Sequence, residues 1–204
     1  RAPWPTTAGW RNSAPTTRAG ISGWRPSRCC STCSRRSRYG ASPACAKAAA
    51  AKTPTSGAVA VAADGTFFVS DGYGNSRVLH FTADGKLLKT WGTKGTGPGE
   101  FDLPHGIAID QRGRVLVADR SNARVQVFDT SGKFLDQWQG AQLGRPYAAA
   151  VGEKNRVFIA DGGDQPKSPP DRAGVAVVDA DGKLIMRFGR FGNYDGQFRL
   201  AHDI

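Results

Sequence analysis

The chain has 204 residues, enough for a substantial hydrophobic core, and a formal net charge of +11. The charge alone would favour a nucleic-acid or anionic partner. However, residues 1–57 carry ten of the 28 Lys and Arg residues and no Asp or Glu, and the other 18 basic residues are balanced by all 17 acidic ones. The basic character therefore belongs to the first segment, and we expect no nucleic-acid partner for residues 58–204.

Cysteine content and hydropathy argue against a zinc knuckle and against a membrane-spanning helix. All four cysteines lie before residue 57, where Cys30 and Cys33 form a C-x-x-C without a second pair or a nearby histidine, so no zinc knuckle is expected. No apolar run approaches the roughly 20 residues of a membrane-spanning helix. No signal peptide is recognisable after Arg1, and the sequence leaves the compartment open.

Residues 1–57 are rich in Arg, Ser, Thr, Pro and Ala and poor in large aliphatic side chains. Such a segment buries too little apolar surface to offset the entropy lost on ordering, so we predict a disordered, basic, low-complexity segment. Only residues 46–52 look weakly helical. Because the composition changes abruptly just where the repeats imply a missing unit, one hypothesis is that the segment is a wrong-frame or mis-assembled translation.

From residue 58 onward, short alternating apolar runs are separated by Asp-Gly, Ser-Gly and Gly-Lys turns, which is typical of β-hairpins. The run that ends at Asp71 returns at Asp119, 48 residues later, and the run that ends at Trp91 returns at Trp138, 47 residues later. Residues 156–188 form a third copy. A period of roughly 40–50 residues with four short strands predicts an all-β fold, a β-propeller with about three blades in residues 58–204.

Polar residues that recur in each repeat are interpreted as parts of the blade. Asp and Asn at a strand end can hold a turn through side-chain to backbone hydrogen bonds. The residues concerned are Asp71, Asn75, Arg77, Asp119, Asn122 and Arg124. Functional candidates are therefore sought among the residues that break the repeat.

Two histidines break it. His105 ends the segment G-E-F-D-L-P-H, and His202 ends the corresponding segment G-Q-F-R-L-A-H. Each should open the innermost strand of a blade and face the central channel, where two imidazoles can converge on a metal such as Zn²⁺. Two hydrogen-bonded core histidines would fit the pattern equally well. The remaining histidine, His80, lies within a strand and is interpreted as structural.

Tyr73 and Arg120 are the other departures. Tyr73 lies in a glycine-flanked turn that is one residue longer than its counterpart, and a hydroxyl near a cationic metal could act as a base. Arg120 stands where the other repeats have Gly72 and Gly162, and a guanidinium there could bind a carboxylate in a bidentate pair. The alternatives are a surface turn tyrosine and a solvated loop arginine.

The pattern D-x-x-(x)-N-x-R-V followed by D/S-G-K resembles the NHL repeat, whose propellers usually have six blades. In addition, the segments S-D-G-Y-G-N-S-R, G-E-F-D-L-P-H, V-A-D-R-S-N-A-R-V-Q and A-H-D resemble, in order and approximate spacing, the peptidyl-α-hydroxyglycine α-amidating lyase family. The resemblance covers residues 58–204. It implies an incomplete NHL-type β-propeller of about three of six blades.

The resemblance implies an enzyme that cleaves a peptide ending in α-hydroxyglycine into an amidated peptide and glyoxylate. It implies a zinc ion held by three histidines, two of them His105 and His202, and a structural Ca²⁺ to which Asp203 contributes. Tyr73 would be the catalytic base, and Arg120 would assist, for example by binding the substrate carboxylate. A hydroxylating monooxygenase partner and a secreted or periplasmic location would fit this family.

The sequence also departs from the family. The first zinc histidine and an active-site arginine of the family precede the position of Tyr73, yet residues 1–57 contain no histidine. A cysteine of animal members is replaced by Gly74, and later blades are missing. We therefore expect this chain to be a fragment that binds zinc weakly and is inactive.

Two other functions remain open from the sequence. The first is a non-catalytic NHL propeller that binds a protein or RNA partner, since fold alone does not fix function. The near-neutral charge of residues 58–204 disfavours RNA. The second is a calcium-dependent lactonase, which would be expected to place carboxylates and Asn on the axis rather than histidines.

Overall fold

The computed structural model describes residues 57–163 and 172–204, which form three four-stranded antiparallel sheets. The first sheet contains β1 (Val59–Val61), β2 (Phe67–Asp71), β3 (Arg77–Phe81) and β4 (Leu87–Trp91). Next come β5 (Thr93–Lys94) and β6 (Glu100–Phe101), then the second sheet with β7 (Pro104–Ile109), β8 (Val115–Asp119), β9 (Arg124–Phe128) and β10 (Phe134–Gln139). The third sheet contains β11 (Pro146–Val151), β12 (Val157–Asp161), β13 (Gly174–Val178) and β14 (Leu184–Phe188), and β15 (Arg190–Phe191) and β16 (Gln197–Phe198) follow it.

Each sheet is a simple meander, because its strands follow one another in chain order from an inner to an outer edge. Within the described ranges the only helical turn is a 3-10 turn at Glu153–Asn155. The prediction of an all-β fold built from three four-stranded blades is confirmed. The predictions for residues 1–56, including the C-x-x-C, lie outside the described residues and stay predictions.

The core lies between neighbouring blades. Every residue of β8 and β9 in the middle blade is buried, because the first and third sheets cover its two faces. One apolar cluster joins the first and second sheets through Phe68, Phe101 and Phe128, and another joins the second and third through Leu116 and Ile159. The outer strands β4 and β14 are largely exposed.

Tryptophans at the ends of outer strands connect one blade to the next. The Trp91 ring lies against Gly132 in the hairpin turn of the second blade, where an added Cβ would come within 2.7 Å of the ring. Trp138 lies against Gly182 of the third blade in the same way, at 2.3 Å. Both glycines also have φ near +79°, so the turn conformation and the close contact both require glycine.

The linkers between blades carry the chain from an outer strand back to the next inner strand. Two of the linkers contain a two-residue parallel ladder. The first linker, after the first sheet, pairs β5 with β6, and the second, after the third sheet, pairs β15 with β16. Residues 140–145 connect the second and third sheets without such a ladder. In the first linker the fully buried Phe101 packs on Gly92, and Phe198 packs on Gly189 in the second. The linkers therefore end in equivalent places, at the start of the strand that carries His105 and at His202.

Buried ion pairs hold these linkers in place. Asp119 is fully buried, and its carboxylate accepts hydrogen bonds from Arg124 Nε at 2.9 Å and from the backbone N–H of Asp102 at 2.8 Å. The guanidinium of Arg124 also donates to three linker carbonyls, those of Thr96, Gly97 and Glu100. One Asp–Arg pair thus connects the second blade to the linker that leads to His105.

Removal of this pair should be costly. Arg124→Met leaves the Asp119 carboxylate buried without its counter-ion, and we expect a loss of about 3–5 kcal/mol in the free energy of unfolding. Arg112→Met is the matched control, because the Arg112–Asp181 pair is solvent-exposed and should contribute little. Urea denaturation measures both variants, and equal losses would contradict a structural role for the Arg124 network.

Candidate functional site

Equivalent positions at the start of the inner strands define the centre of the site. Pro104 pairs with Asp119 in the second blade, and Pro146 pairs with Asp161 in the third. The next residue along each inner strand is therefore equivalent, which places Tyr147 of β11 at the position held by His105 in β7. Tyr147 was not among the residues singled out from the sequence, although the alignment of repeats places it opposite a candidate metal ligand.

His105 is held by hydrogen bonds to both ring nitrogens. It is only 5% exposed, and its Nδ1 lies 2.7 Å from the backbone carbonyl oxygen of Tyr147. Because a carbonyl can only accept, Nδ1 must carry the proton. In the neutral ring, Nε2 then has a free lone pair, which is the form in which histidine binds a metal.

The hydroxyl of Tyr73 lies 2.9 Å from Nε2 of His105 and donates to it. Tyr73 belongs to the turn between β2 and β3 of the first blade, so this bond joins two blades. Gly72 makes the approach possible, because a Cβ at this position would lie 2.1 Å from the carbonyl oxygen of Pro104. The residue predicted as a base and one predicted zinc ligand are therefore in direct contact.

His202 lies beside His105 after the second linker. The centroids of the two imidazole rings are 4.9 Å apart with the rings nearly perpendicular, and the His202 ring is 5.5 Å from that of Tyr147. A cavity of about 50 Å³ is bordered by these three side chains and by Asp203. The described structure thus brings both predicted zinc histidines to one small cavity.

Arg120 joins the site through an aromatic contact. Its guanidinium carbon lies 4.0 Å from the centroid of the Tyr147 ring, a cation–π arrangement. Gly162, at the equivalent position in the third blade, lies against the same ring, since a Cβ there would come within 2.3 Å of it. None of the described residues accepts a hydrogen bond from the Arg120 guanidinium, so its donors are available to a ligand.

Asp203 is exposed and borders the cavity, and its Oδ1 accepts a hydrogen bond from the backbone N–H of Ile204 at 2.9 Å. Its predicted contribution to a calcium site stays a prediction. His80, interpreted as structural, stacks on Phe68 in the first sheet with ring centroids 4.0 Å apart, away from the histidine pair.

The electrostatic setting keeps His105 neutral. Burial lowers its pKa below the ordinary value for histidine; the Tyr147 carbonyl opposes this, while His202 and Arg120 lower the pKa further. A neutral imidazole with an oriented lone pair suits a metal ligand. In the described part of the chain, no group of three or more His, Cys, Asp or Glu side chains is placed to hold a metal ion.

Comparison with known proteins agrees with the blade architecture. The family model for the NHL repeat matches residues 101–128, from the end of the first linker to the end of β9. In a solved structure of a catalytically inactive virginiamycin B lyase from Staphylococcus aureus with quinupristin, the alignment has a TM-score of 0.53 and 14% identity, covering 68% of this chain and 42% of that chain. The chain therefore contains an NHL repeat within part of a β-propeller.

Two relatives that resemble this chain in sequence are named as amidating enzymes. Mouse peptidyl-glycine alpha-amidating monooxygenase is 36% identical over 146 residues, which are 69% of this chain and 15% of that protein. A protein of Caenorhabditis elegans named "Probable peptidyl-alpha-hydroxyglycine alpha-amidating lyase" is 48% identical over 73 residues, 34% of this chain and 21% of that protein. This chain matches only 15% and 21% of the lengths of these two relatives, and the predicted resemblance to amidating enzymes is confirmed.

No described helix is long and apolar enough to cross a membrane.

The ring state of His105 provides a direct check of the geometry. In the metal-free, ¹⁵N-labelled chain at neutral pH, we expect a neutral His105 ring protonated at Nδ1, because the Tyr147 carbonyl can only accept. Tyr73→Phe should keep this tautomer and remove only the hydrogen bond at Nε2. Long-range ¹H–¹⁵N correlation spectra distinguish the two tautomers, and an Nε2-protonated His105 in the wild-type chain would contradict the arrangement.

Proposed function

We propose that the site of this chain belongs to a zinc-dependent lyase that cleaves peptidyl-α-hydroxyglycine to an amidated peptide and glyoxylate. The observation that carries the proposal is the contact between the Tyr73 hydroxyl and Nε2 of His105, with His202 beside it. The sequence similarity to amidating enzymes supports the same reaction. A generic NHL blade requires none of these side chains, since Gly72 and Tyr147 stand at equivalents of Arg120 and His105.

His105 and His202 would hold the zinc ion, together with a further ligand that the described residues do not supply. Zinc would provide Lewis-acid polarisation of an oxygen of the substrate. His105 is suited to this role because the Tyr147 carbonyl fixes its tautomer. The lone pair of Nε2, which accepts from the Tyr73 hydroxyl in this structure, would then be the one that coordinates the metal. Asp203, at the edge of the same cavity, is proposed to contribute to a structural Ca²⁺ site, in keeping with the preference of calcium for oxygen ligands.

Tyr73 is proposed as the base. Removal of the proton from the α-hydroxyl lets the oxygen form the carbonyl of glyoxylate, while the C–N bond breaks and its electron pair passes to the amide nitrogen. The nitrogen takes up a proton, which Tyr73 can return, and the carboxamide is complete.

Arg120 is proposed to bind the carboxylate of the substrate. Its guanidinium is positioned by the face of the Tyr147 ring, and its donors are not used by any of the described residues. A bidentate pair with the carboxylate would orient the α-carbon relative to Tyr73. This would place the scissile C–N bond between the base and the cation that binds the leaving glyoxylate.

Zinc content tests the metal site. We expect about one zinc ion per chain in the full-length product of the gene that encodes this chain, and loss of that zinc in His105→Ala and in His202→Ala. His80→Ala is the matched control, because His80 lies away from the cavity. Elemental analysis after extensive dialysis gives the result. Zinc that survives both substitutions, or a wild-type protein without zinc, would favour the binding-scaffold alternative.

Tyr73→Phe tests the base. Loss of the hydroxyl should lower the rate of glyoxylate release from an α-hydroxyglycine peptide by about 10²–10⁴-fold, the usual contribution of a positioned acid–base group, while zinc content stays unchanged. Tyr194→Phe, at an exposed tyrosine in the second linker, should have no effect. Equal activity of Tyr73→Phe and wild type in the full-length protein would exclude the proposed role.

A further inference from the structure

A second cavity lies at the same end of the sheets as the histidine pair, between the second and third blades. Its volume is about 410 Å³, and it is open to solvent. Gln139 at the end of β10 and Ala123 in the turn after β8 line one side, while Arg145, just before β11, and Arg172 line the other. Among the described residues, two arginines and no acidic residue therefore border this cavity.

The charge next to the cavity is not balanced. Arg172 Nε and Arg187 Nη2 both donate to the same oxygen of Asp161, at 2.9 and 2.6 Å. Arg145 reaches Asp161 only with its backbone N–H, at 2.9 Å. Two guanidinium groups thus share a single buried carboxylate, and the charge of Arg145 has no counter-ion among the described residues.

Arg145 also lacks hydrogen-bond acceptors. Its Nε is buried and has no partner, and none of the described residues accepts from its guanidinium. A buried donor without a partner is costly and calls for an explanation. By contrast, the guanidinium of Arg124 in the second blade donates to side chains and to linker carbonyls. The planar guanidinium of Arg145 is therefore available to donate hydrogen bonds to the carboxylate of a ligand.

Two segments of the chain connect the cavity with the site at the histidine pair. Arg145 lies two residues before Tyr147, which corresponds to about 7 Å along an extended strand. In addition, the turn from Arg120 to Ala123, closed by a backbone hydrogen bond of 3.2 Å, has Arg120 on the Tyr147 ring and Ala123 in the wall of the cavity. A peptide whose C-terminal carboxylate is held by Arg120 would need only one or two further residues to reach Arg145.

We infer that the Arg145 cavity binds an acidic side chain, Asp or Glu, located one or two residues before the C-terminal residue of the peptide. This inference rests on the proposed function for the identity of the ligand as a peptide. The cavity then selects among peptides, whereas the histidine pair and Tyr73 act on the terminal residue.

The test uses binding, so that it does not depend on turnover. Fluorescence anisotropy is measured with two labelled peptides, Ala-Ala-Glu-Gly and Ala-Ala-Gln-Gly, both with free C-terminal carboxylates and without a scissile hydroxyglycine. We expect the Glu peptide to bind about tenfold more tightly than the Gln peptide, as for one charge-assisted contact. In Arg145→Met this ratio should fall to about one. Because the Arg145 side chain has no hydrogen-bond partner among the described residues, the variant should fold normally.

Arg156→Met is the matched control, since Arg156 is an exposed arginine at the opposite end of the third blade. It should keep the preference for Glu. A preference that survives Arg145→Met, a loss equal to that in Arg156→Met, or no binding of either peptide would overturn the inference. Displacement of the Glu peptide by inorganic phosphate of equal concentration would show a general anion site instead. A retained Glu preference together with absence of lyase activity would reject only the proposed reaction.

Discussion

The buried aspartate at the end of the second strand of each blade is the constraint on which the site depends. In the second blade, Asp119 fixes the linker through the N–H of Asp102 and the guanidinium of Arg124. In the third blade, Asp161 fixes the linker through the N–H of Arg145. Each linker ends at an inner strand, so these carboxylates determine where His105 and Tyr147 lie. A buried charge is tolerated there because it is fully hydrogen-bonded.

The site arises where equivalent positions hold different side chains. The first position of the inner strand carries His105 in one blade and Tyr147 in the next, and the position after the buried aspartate carries Arg120 in one blade and Gly162 in the next. These differences are complementary. The Tyr147 ring has room because position 162 is glycine, and the same ring supports the Arg120 guanidinium. The residues that repeat from blade to blade form the scaffold, and the residues that differ between equivalent positions form the candidate site.

The sequence alone was sufficient to predict much of this arrangement. The hairpin periodicity identified the blades, because period-two patterns and Asp-Gly turns are local signals. Tyr73, His105, Arg120 and His202 could be selected because each breaks the repeat, and the structure brings them together. The hydrogen bond between Tyr73 and His105 and the tautomer fixed by Tyr147 could not be predicted, since both depend on the position of one blade relative to the next. Tyr147 was missed because an aromatic residue at an inner position is also compatible with ordinary packing.

The arginines at this end of the sheets fall into two groups, according to whether the described residues accept hydrogen bonds from their guanidinium groups. Arg124 donates to a carboxylate, a side-chain amide and linker carbonyls, which leaves little for a ligand. Arg120 and Arg145 have no acceptors among the described residues, although one lies on an aromatic ring and the other has a buried Nε. The buried Nε of Arg145 carries a cost unless something else binds it. Arg120 lies on the Tyr147 ring and Arg145 stands two residues before Tyr147, so both guanidinium groups are associated with the strand next to His105.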